Sequence, residues 1–172
     1  MPSVLFVCTA NLYRSPLAAA FLRDVLKDTA GGIEWVIDSA GTWTTTGAPI
    51  PSQTIEDAHR FGLDVRNHKS KQVTAELLSR HDLILVMETG HKEALWIEFP
   101  DQSKKVHMLS EVVDGLIYDI PDPFTREGEY DLDVANELQK IIKRGYKKIL
   151  ALAKKNSNKS TKIPIADSKK PD

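Results

Sequence analysis

The chain has a single cysteine, almost no net charge and no long apolar run. One cysteine, Cys8, excludes an intrachain disulfide and favours a reducing cytoplasm. A formal net charge of −1 gives no general attraction to nucleic acid. The short apolar run near the N-terminus is too short for a membrane span and lacks the basic leader of a signal peptide. The composition therefore predicts a cytoplasmic protein that neither spans a membrane nor binds nucleic acid.

Metal-ligand motifs are also missing from the sequence. The five histidines are scattered without the spacing of a metal site, at His59, His68, His81, His91 and His107. The sequence therefore predicts no metal site, and no cofactor is expected.

What the sequence does contain is a regular alternation of strands and helices. Strands are predicted at residues 3–7, 34–38, 83–87 and 105–108, and helices at residues 15–26, 52–61, 74–78, 91–96 and 130–153. Residues 39–51, rich in Gly, Thr and Pro, are predicted to form a loop. Strands separated by helices favour parallel pairing with right-handed crossovers. We expect an α/β, three-layer Rossmann-like fold with a central four-stranded parallel sheet flanked by helices.

The length predicts one domain, at residues 1–153, followed by a tail at residues 154–172. The tail carries six Lys and two Asp among Ser, Asn and Pro. Such a polar, charged composition is typical of disordered segments. The alternative is a weak contact with an acidic partner or a membrane surface.

The most informative motif is Cys-Thr-Ala-Asn-Leu-Tyr-Arg-Ser-Pro, which directly follows the first predicted strand. The five residues between Cys8 and Arg14 let the chain curl around a tetrahedral oxyanion, so that successive backbone N–H groups point inward. The predicted phosphate-binding residues are Thr9, Ala10, Asn11, Leu12, Tyr13, Arg14 and Ser15. We call this segment, residues 8–15, the cradle.

The cradle combines a nucleophile with an anion site. Arg14 can donate two N–H groups to two phosphate oxygens, and the helix that follows adds its free N-terminal donors. The same positive field favours the thiolate of Cys8, which is the form that attacks. Ser15 is placed to hydrogen-bond this thiolate. The alternative is that Cys8 is a buried structural residue, as isolated cysteines usually are.

A second motif, Asp-Ile-Pro-Asp-Pro-Phe at residues 119–124, can supply a general acid. A phenol has a pKa near about 10, so a departing phenolate needs a proton. A carboxylic acid held over the cradle can give that proton and later accept one from water. Asp122, stiffened by a proline on each side, is the favoured acid, and Asp119 is the second candidate. Alone, the motif is also compatible with an ordinary surface turn.

Together these motifs make the chain resemble the low-molecular-weight protein tyrosine phosphatases. The resemblance runs from about residue 3 to about residue 153 and rests on residues 7–16, 38–42, 67–72, 82–88 and 122–124, in the family's order. It implies that Cys8 is the nucleophile, Arg14 the phosphate clamp and Asp122 the acid and then the base. It also implies a hydrogen-bonded network that supports the cradle, formed by Asn11, Ser15, Ser39 and His68.

Three positions depart from the family pattern. Ala10 stands where the family often has glycine, and a positive φ there would add strain of about 1 kcal/mol; we expect an ordinary backbone region instead. Tyr13 replaces a second cysteine that many members have, which removes a protective disulfide partner for Cys8. Phe124-Thr125 replaces a pair of tyrosines, so regulation by phosphorylation at that place is not expected.

The resemblance also bears on the substrate. Trp43 and Phe124 are predicted to form an aromatic rim, and Leu12 lies within the cradle, where relatives specific for phosphoarginine typically have threonine. An aliphatic residue there goes with phosphotyrosine, so we expect a phosphorylated protein as substrate and phosphate as product and inhibitor. The alternatives are a protein arginine phosphatase and a thiol-dependent arsenate reductase, although Cys8 alone allows no internal relay. A non-catalytic phosphate-binding module would need neither Cys8 nor an acid.

Overall fold

The computed structural model describes residues 1–29, 34–124 and 133–160. The strands are β1 Ser3–Cys8, β2 Val36–Gly41, β3 Leu83–Val86 and β4 Val106–Met108. The helices are α1 Arg14–Thr29, α2 Ser52–His59, α3 Ala75–Ser79, α4 Thr89–Glu98, α5 Leu109–Asp114 and α6 Val134–Ser160, with a 3-10 helix at Pro100–Lys105 between α4 and β4.

The four strands form one parallel sheet in the order β2-β1-β3-β4. Cys8 pairs in register with Gly41, and Val7 with Val86, so the carboxyl ends of the three long strands reach the same edge. The predicted α/β layout with a four-stranded parallel sheet is confirmed. In such sheets ligands bind outside the carboxyl ends of the strands.

Side chains of β1 alternate between two buried faces of the sheet, as a strand period of two requires. Val4, Phe6 and Cys8 point into the larger core, which also includes apolar residues of α1, α2, α5 and α6. Leu5 and Val7 point into a smaller core with residues of α3 and α4. All residues of β1 are buried, so the strand that carries Cys8 is held on both sides.

The long helix α6 packs closely on α5 and α1. A Cβ at Gly145 would lie 2.3 Å from Val113 Cγ2, so only glycine lets the two helices approach this closely. On the same side, Arg144 donates two hydrogen bonds to Asp114, at 2.8 and 2.7 Å. None of the helices in the described part of the chain combines the length and apolar composition needed to cross a bilayer.

Several predicted boundaries are wrong. β2 continues to Gly41, three residues into the predicted loop, because residues 39–41 still pair with β1. Helix α6 ends at Ser160 rather than at residue 153, so residues 154–160 of the predicted disordered tail are helical. Residues 161–172 lie outside the described residues. The short α5 and the 3-10 helix were not predicted.

Candidate active site

The cradle is the entire connection between β1 and α1. Cys8 is the last residue of β1 and Arg14 the first of α1, so residues 9–13 make the turn. Asn11 has a φ of 57°, a left-handed conformation that asparagine tolerates better than most residues. Among the described non-glycine residues it alone has a positive φ, so Ala10 carries none of the strain considered above.

The end of β2 forms the outer support of the cradle. The backbone N–H groups of Thr42 and Trp43 donate to the carbonyl oxygens of Cys8 and Thr9, at 2.9 and 3.0 Å. This contact requires glycine at position 41, because a Cβ there would lie 2.4 Å from the Thr9 carbonyl oxygen. The two backbones therefore touch, and the curl is fixed from outside.

Asn11 is the centre of the hydrogen-bond network that holds the cradle. Its amide nitrogen donates to the hydroxyls of Ser15 and Ser39, both at 2.9 Å. Its amide oxygen accepts from the backbone N–H of Lys71 at 2.9 Å, and its carbonyl accepts from His68 Nε2 at 2.8 Å. The structure therefore brings together the four residues predicted to support the loop.

His68 donates a hydrogen bond to the backbone of the cradle. Because a carbonyl oxygen only accepts, Nε2 must carry the proton that His68 donates to Asn11. Burial lowers the pKa of His68 below its usual value, against the smaller opposing effect of the bond to Asn11. The lowered pKa favours the neutral ring, which can hold the curl without adding a charge beside the cradle.

Cys8 lies at the floor of the cradle. Its side chain is 3% exposed, and its Sγ lies 3.0 Å from the Ser15 hydroxyl. The same hydroxyl lies 3.3 Å from the Ala40 carbonyl oxygen and accepts from Asn11. Ser15 therefore joins the sulphur to the supporting network.

The Arg14 guanidinium joins the cradle to two distant segments. Arg14 is 1% exposed; its Nη1 forms an ion pair with Glu88 and donates to the Ile120 carbonyl oxygen at 2.8 Å. Its Nη2 donates to Asp122 Oδ2 at 2.8 Å. The two carboxylates compensate the charge of the buried guanidinium. The bond to Asp122 also connects the cradle to a residue 108 positions away in the sequence.

A second histidine contacts the cradle from α4. The backbone N–H of Glu88 donates to His91 Nδ1 at 3.2 Å, which places the proton of a neutral ring on Nε2. That nitrogen lies 2.9 Å from the Thr9 hydroxyl and donates to it. Burial lowers the pKa of His91, with the Glu88 carboxylate acting in the opposite direction.

The two candidate acids occupy different environments. Asp119 Oδ1 accepts from the backbone N–H and the hydroxyl of Thr89, at 2.7 and 3.0 Å. It therefore caps the first turn of α4, which is a structural use of a carboxylate. Asp122 contacts Arg14 with one oxygen, and its other oxygen accepts from the Phe124 backbone N–H at 3.0 Å. Of the two carboxylates, Asp122 is the one that contacts Arg14 of the cradle.

The predicted rim residues differ in exposure. Trp43 is 83% exposed and Phe124 is 52% exposed, whereas Leu12 is half-buried. The Leu12 carbonyl accepts from the Thr54 hydroxyl at 2.8 Å. Phe124 packs edge-on against Tyr13, with the ring centroids 5.4 Å apart and an interplanar angle of 87°. Two aromatic surfaces thus remain available near the cradle.

Sequence reasoning missed three residues of this site: Glu88, His91 and Gly41. Glu88 and His91 were visible only as the end of the strand motif and as a scattered histidine. One signal was available, because a charged residue directly after a buried strand lies at the same sheet edge as Cys8. For Gly41 the signal was a glycine at the corresponding end of the neighbouring strand.

Comparison with known proteins agrees with this geometry. A family model described as low molecular weight phosphotyrosine protein phosphatase matches residues 3–160. A probable low molecular weight protein-tyrosine-phosphatase EpsP of Ralstonia nicotianae is 32% identical over 143 residues, which cover 83% of this chain and 90% of that protein. A protein-arginine-phosphatase of Geobacillus stearothermophilus is 32% identical over 141 residues, covering 82% and 91%.

Solved structures of similar fold belong to the same family. The crystal structure of a low molecular weight protein tyrosine phosphatase from T. tengcongensis superposes with a TM-score of 0.76 and 32% identity, covering 86% of this chain and 99% of that one. The family match spans nearly the whole described chain and includes both the cradle and the acid turn. The chain therefore belongs to the low molecular weight phosphotyrosine protein phosphatase family.

Proposed function

We propose that this protein hydrolyses phosphotyrosine on proteins through a cysteinyl-phosphate intermediate on Cys8. The observation that carries the proposal is the Arg14 guanidinium, which lies in the cradle and contacts Asp122 at 2.8 Å. Cys8, Arg14 and the carboxyl group of Asp122, whose side chain is 20% exposed, lie at the same end of the sheet, which supports the roles of nucleophile, anion clamp and acid.

In the first step the Cys8 thiolate attacks phosphorus, and the bond between phosphorus and the tyrosine oxygen breaks. Asp122, protonated at this stage, gives its proton to the departing oxygen, so that phenol rather than phenolate leaves. Arg14 and the backbone N–H groups of the cradle bind the phosphoryl oxygens throughout. The products of this step are a cysteinyl phosphate and a dephosphorylated protein.

In the second step water attacks the cysteinyl phosphate. The Asp122 carboxylate takes a proton from the attacking water, the bond between sulphur and phosphorus breaks, and phosphate is released. The Ser15 hydroxyl, 3.0 Å from Sγ, donates a hydrogen bond to the thiolate as it departs. The free enzyme is then restored.

The ion pair between Arg14 and Asp122 gives substrate binding a direct effect on the acid. A phosphate dianion entering the cradle competes for Arg14 Nη2, the nitrogen that Asp122 occupies. Substrate therefore releases the carboxyl group from its cation.

The choice of a phosphorylated ring is supported by the apolar residues beside the cradle. Leu12 is half-buried, and the exposed faces of Trp43 and Phe124 offer packing for a flat ring. The relatives include both tyrosine and arginine phosphatases, so phosphoarginine is the second candidate substrate. Its guanidinium would gain little from an aliphatic side chain at Leu12.

Two further proposals concern the need for a metal and the cellular location. The thiolate mechanism needs no metal, so activity should persist in excess chelator, and its loss and recovery with added metal would contradict this. We also propose a reducing cytoplasmic location, because the one cysteine of the chain must remain a thiolate to react.

The test is a substrate panel assayed with chelator present: a phosphotyrosine peptide, a phosphoarginine peptide, and arsenate with thiols. We expect preferential release of phosphate from phosphotyrosine, with no turnover by Cys8→Ser and retained binding of phosphate or vanadate. A preference for phosphoarginine would contradict the substrate choice but leave the mechanism intact. Activity on arsenate alone, or near-normal turnover by Cys8→Ser, would overturn the proposal.

A further inference from the structure

Tyr13 is a cradle residue whose side chain takes no part in the steps above. It is 5% exposed, and its hydroxyl donates to Asp57 Oδ2 of α2 at 2.6 Å. Asp57 is also buried and accepts from Gln53 and Arg60, both at 3.3 Å. A short bond to a buried, multiply bonded carboxylate fixes the orientation of the Tyr13 ring.

The fixed ring of Tyr13 contacts the turn that carries Asp122. Phe124 packs against it in an edge-to-face arrangement, 5.4 Å between centroids and 87° between planes. The backbone N–H of Phe124 in turn donates to Asp122 Oδ1 at 3.0 Å. The position of the Phe124 ring and the position of the Asp122 carboxyl group are therefore linked within one tight turn.

Two consecutive residues of the cradle, Tyr13 and Arg14, thus contact the acid turn. Arg14 binds Asp122 directly, and Tyr13 binds Phe124. A phosphate group in the cradle competes for the first attachment, because it needs the same guanidinium nitrogen. It does not compete for the second, which lies between two aromatic rings.

We propose that Tyr13 is a positioning residue for the general acid. Through Phe124 it keeps the Asp122 turn over the cradle while phosphate occupies Arg14, and Asp57 keeps Tyr13 in the orientation that this requires. The inference rests on the proposed function, since it assigns the acid role to Asp122. Without the ring contact, the carboxyl group is misplaced when the leaving oxygen needs its proton.

Loss of the contact between Tyr13 and Phe124 should lower activity most on substrates whose leaving oxygen needs a proton. Phenyl phosphate has a poor leaving group, whereas p-nitrophenyl phosphate releases a more acidic phenol that leaves without full protonation. Loss of the aromatic pair should lower kcat/KM for phenyl phosphate by about three- to tenfold, the range expected for one edge-to-face pair. For p-nitrophenyl phosphate the loss should be less than about twofold.

The experiment compares Tyr13→Leu, Phe124→Leu, the double variant and Tyr13→Phe with the wild type on both substrates. The ratio of the two kcat/KM values is the readout, because it cancels changes in enzyme concentration and in general aryl binding. The double variant should lose no more than the single ones. Tyr13→Phe keeps the ring but not the bond to Asp57, so its loss should be smaller.

A matched control is available in the core. Phe21 and Phe61 form another edge-to-face pair, with centroids 5.3 Å apart and planes at 80°, between α1 and the end of α2. Phe61→Leu removes a contact of the same kind without touching the acid turn. We expect it to lower thermal stability and to leave the kcat/KM ratio unchanged.

The results that would overturn the role of Tyr13 can be distinguished from a failure of the proposed function. Equal losses on the two substrates, or a changed ratio in Phe61→Leu as well, would overturn the role of Tyr13. If the wild type hydrolyses neither aryl phosphate, the proposed function itself has failed. Should Tyr13→Leu not fold, nuclear Overhauser contacts between Tyr13 and Phe124 in the vanadate complex provide a second test: they are expected to persist, and their absence would overturn the inference.

Discussion

The cradle and the acid turn meet at one guanidinium but are held in very different ways. In the cradle, Cys8, Asn11 and Ser15 are buried, and hydrogen bonds from the end of β2 and the 68–71 segment fix the curl. The acid turn at residues 119–124 is partly exposed. Its attachments include the Asp119 cap, the contacts of Arg14 with Asp122 and with the Ile120 carbonyl, and the ring contact with Tyr13.

The difference matches the two chemical tasks. Oxyanion stabilisation works best with donors that are already oriented before the reaction begins, and the cradle meets that condition. In the proposed mechanism the general acid, Asp122, exchanges one partner, Arg14, for another, the leaving oxygen, within a single turnover. A carboxyl group in a partly exposed turn can make that exchange, whereas a fully buried side chain such as that of Asn11 cannot.

The strongest way to break the cradle without removing charge is Arg14→Lys. A lysine keeps the cation but loses the planar fork that contacts Asp122, Glu88 and Ile120. We expect kcat/KM to fall by about 10³-fold on all substrates, with a parallel loss of vanadate affinity. Steady-state kinetics and vanadate inhibition measure both, and wild-type vanadate affinity in this variant would contradict the clamp.

Breaking the acid turn should have a smaller effect that depends on the substrate. For Asp122→Asn we expect about a 10²-fold loss of kcat/KM on a phosphotyrosine peptide, with vanadate affinity kept near the wild-type value. Asp119→Asn is the matched control. Asparagine keeps an oxygen that can accept from Thr89 and caps a helix about as well as aspartate, so stability and kcat/KM should both change little. A large loss of kcat/KM in this variant, with little loss in Asp122→Asn, would move the acid role to Asp119.

A third prediction concerns the outer support of the cradle. In Gly41→Ala the new Cβ would lie 2.4 Å from the Thr9 carbonyl oxygen, so β2 and the cradle must separate. We expect about 1–3 kcal/mol of destabilisation, measured by urea unfolding, together with reduced activity. Gly90→Ala, where the new Cβ would meet no other segment within 4 Å, should keep full activity. Equal behaviour of the two variants would show that the contact is unimportant.

The smallest expected effect is the pH dependence of stability from His91. Burial lowers its pKa in the folded protein below the ordinary value of 6.5, so below that pH the unfolded chain binds a proton that the folded chain does not. The free energy of unfolding should therefore fall as the pH drops below 6.5. His91→Gln should weaken this fall without abolishing it, because burial also lowers the pKa of His68 and His107. If the free energy of unfolding, measured with urea, changed between pH 7 and pH 5 by the same amount in His91→Gln and the wild type, the lowered pKa of His91 would be contradicted.

The same two regions show how far sequence reasoning reaches. The cradle is a short-range structure: Cys8, Arg14 and Ser15 lie within eight consecutive positions, and strand, curl and helix follow from local patterns. The four-stranded sheet was likewise predictable from alternating apolar segments. Boundaries were less so, since residues 39–41 have small side chains that are typical of a loop but pair in the sheet.

Contacts between distant segments were beyond sequence reasoning. The ion pair of Arg14 with Glu88 spans 74 positions, and the place of Glu88 after a buried strand indicates the sheet edge but not the partner. The contact between Tyr13 and Phe124 depends on how two loops pack, and neither sequence motif determines that. Such pairs arise from the fold, which brings the ends of parallel strands to one edge.

The central claim, a rigid cradle served by a separable acid, is tested most directly by the leaving-group dependence of kcat/KM across a series of aryl phosphates. The wild type and Arg14→Lys should share a shallow dependence on leaving-group acidity, because both retain the proton donor, whereas Asp122→Asn should show a steep one. A shallow dependence in Asp122→Asn, or a steep one in Arg14→Lys equal to that of Asp122→Asn, would contradict the division of tasks between the two regions.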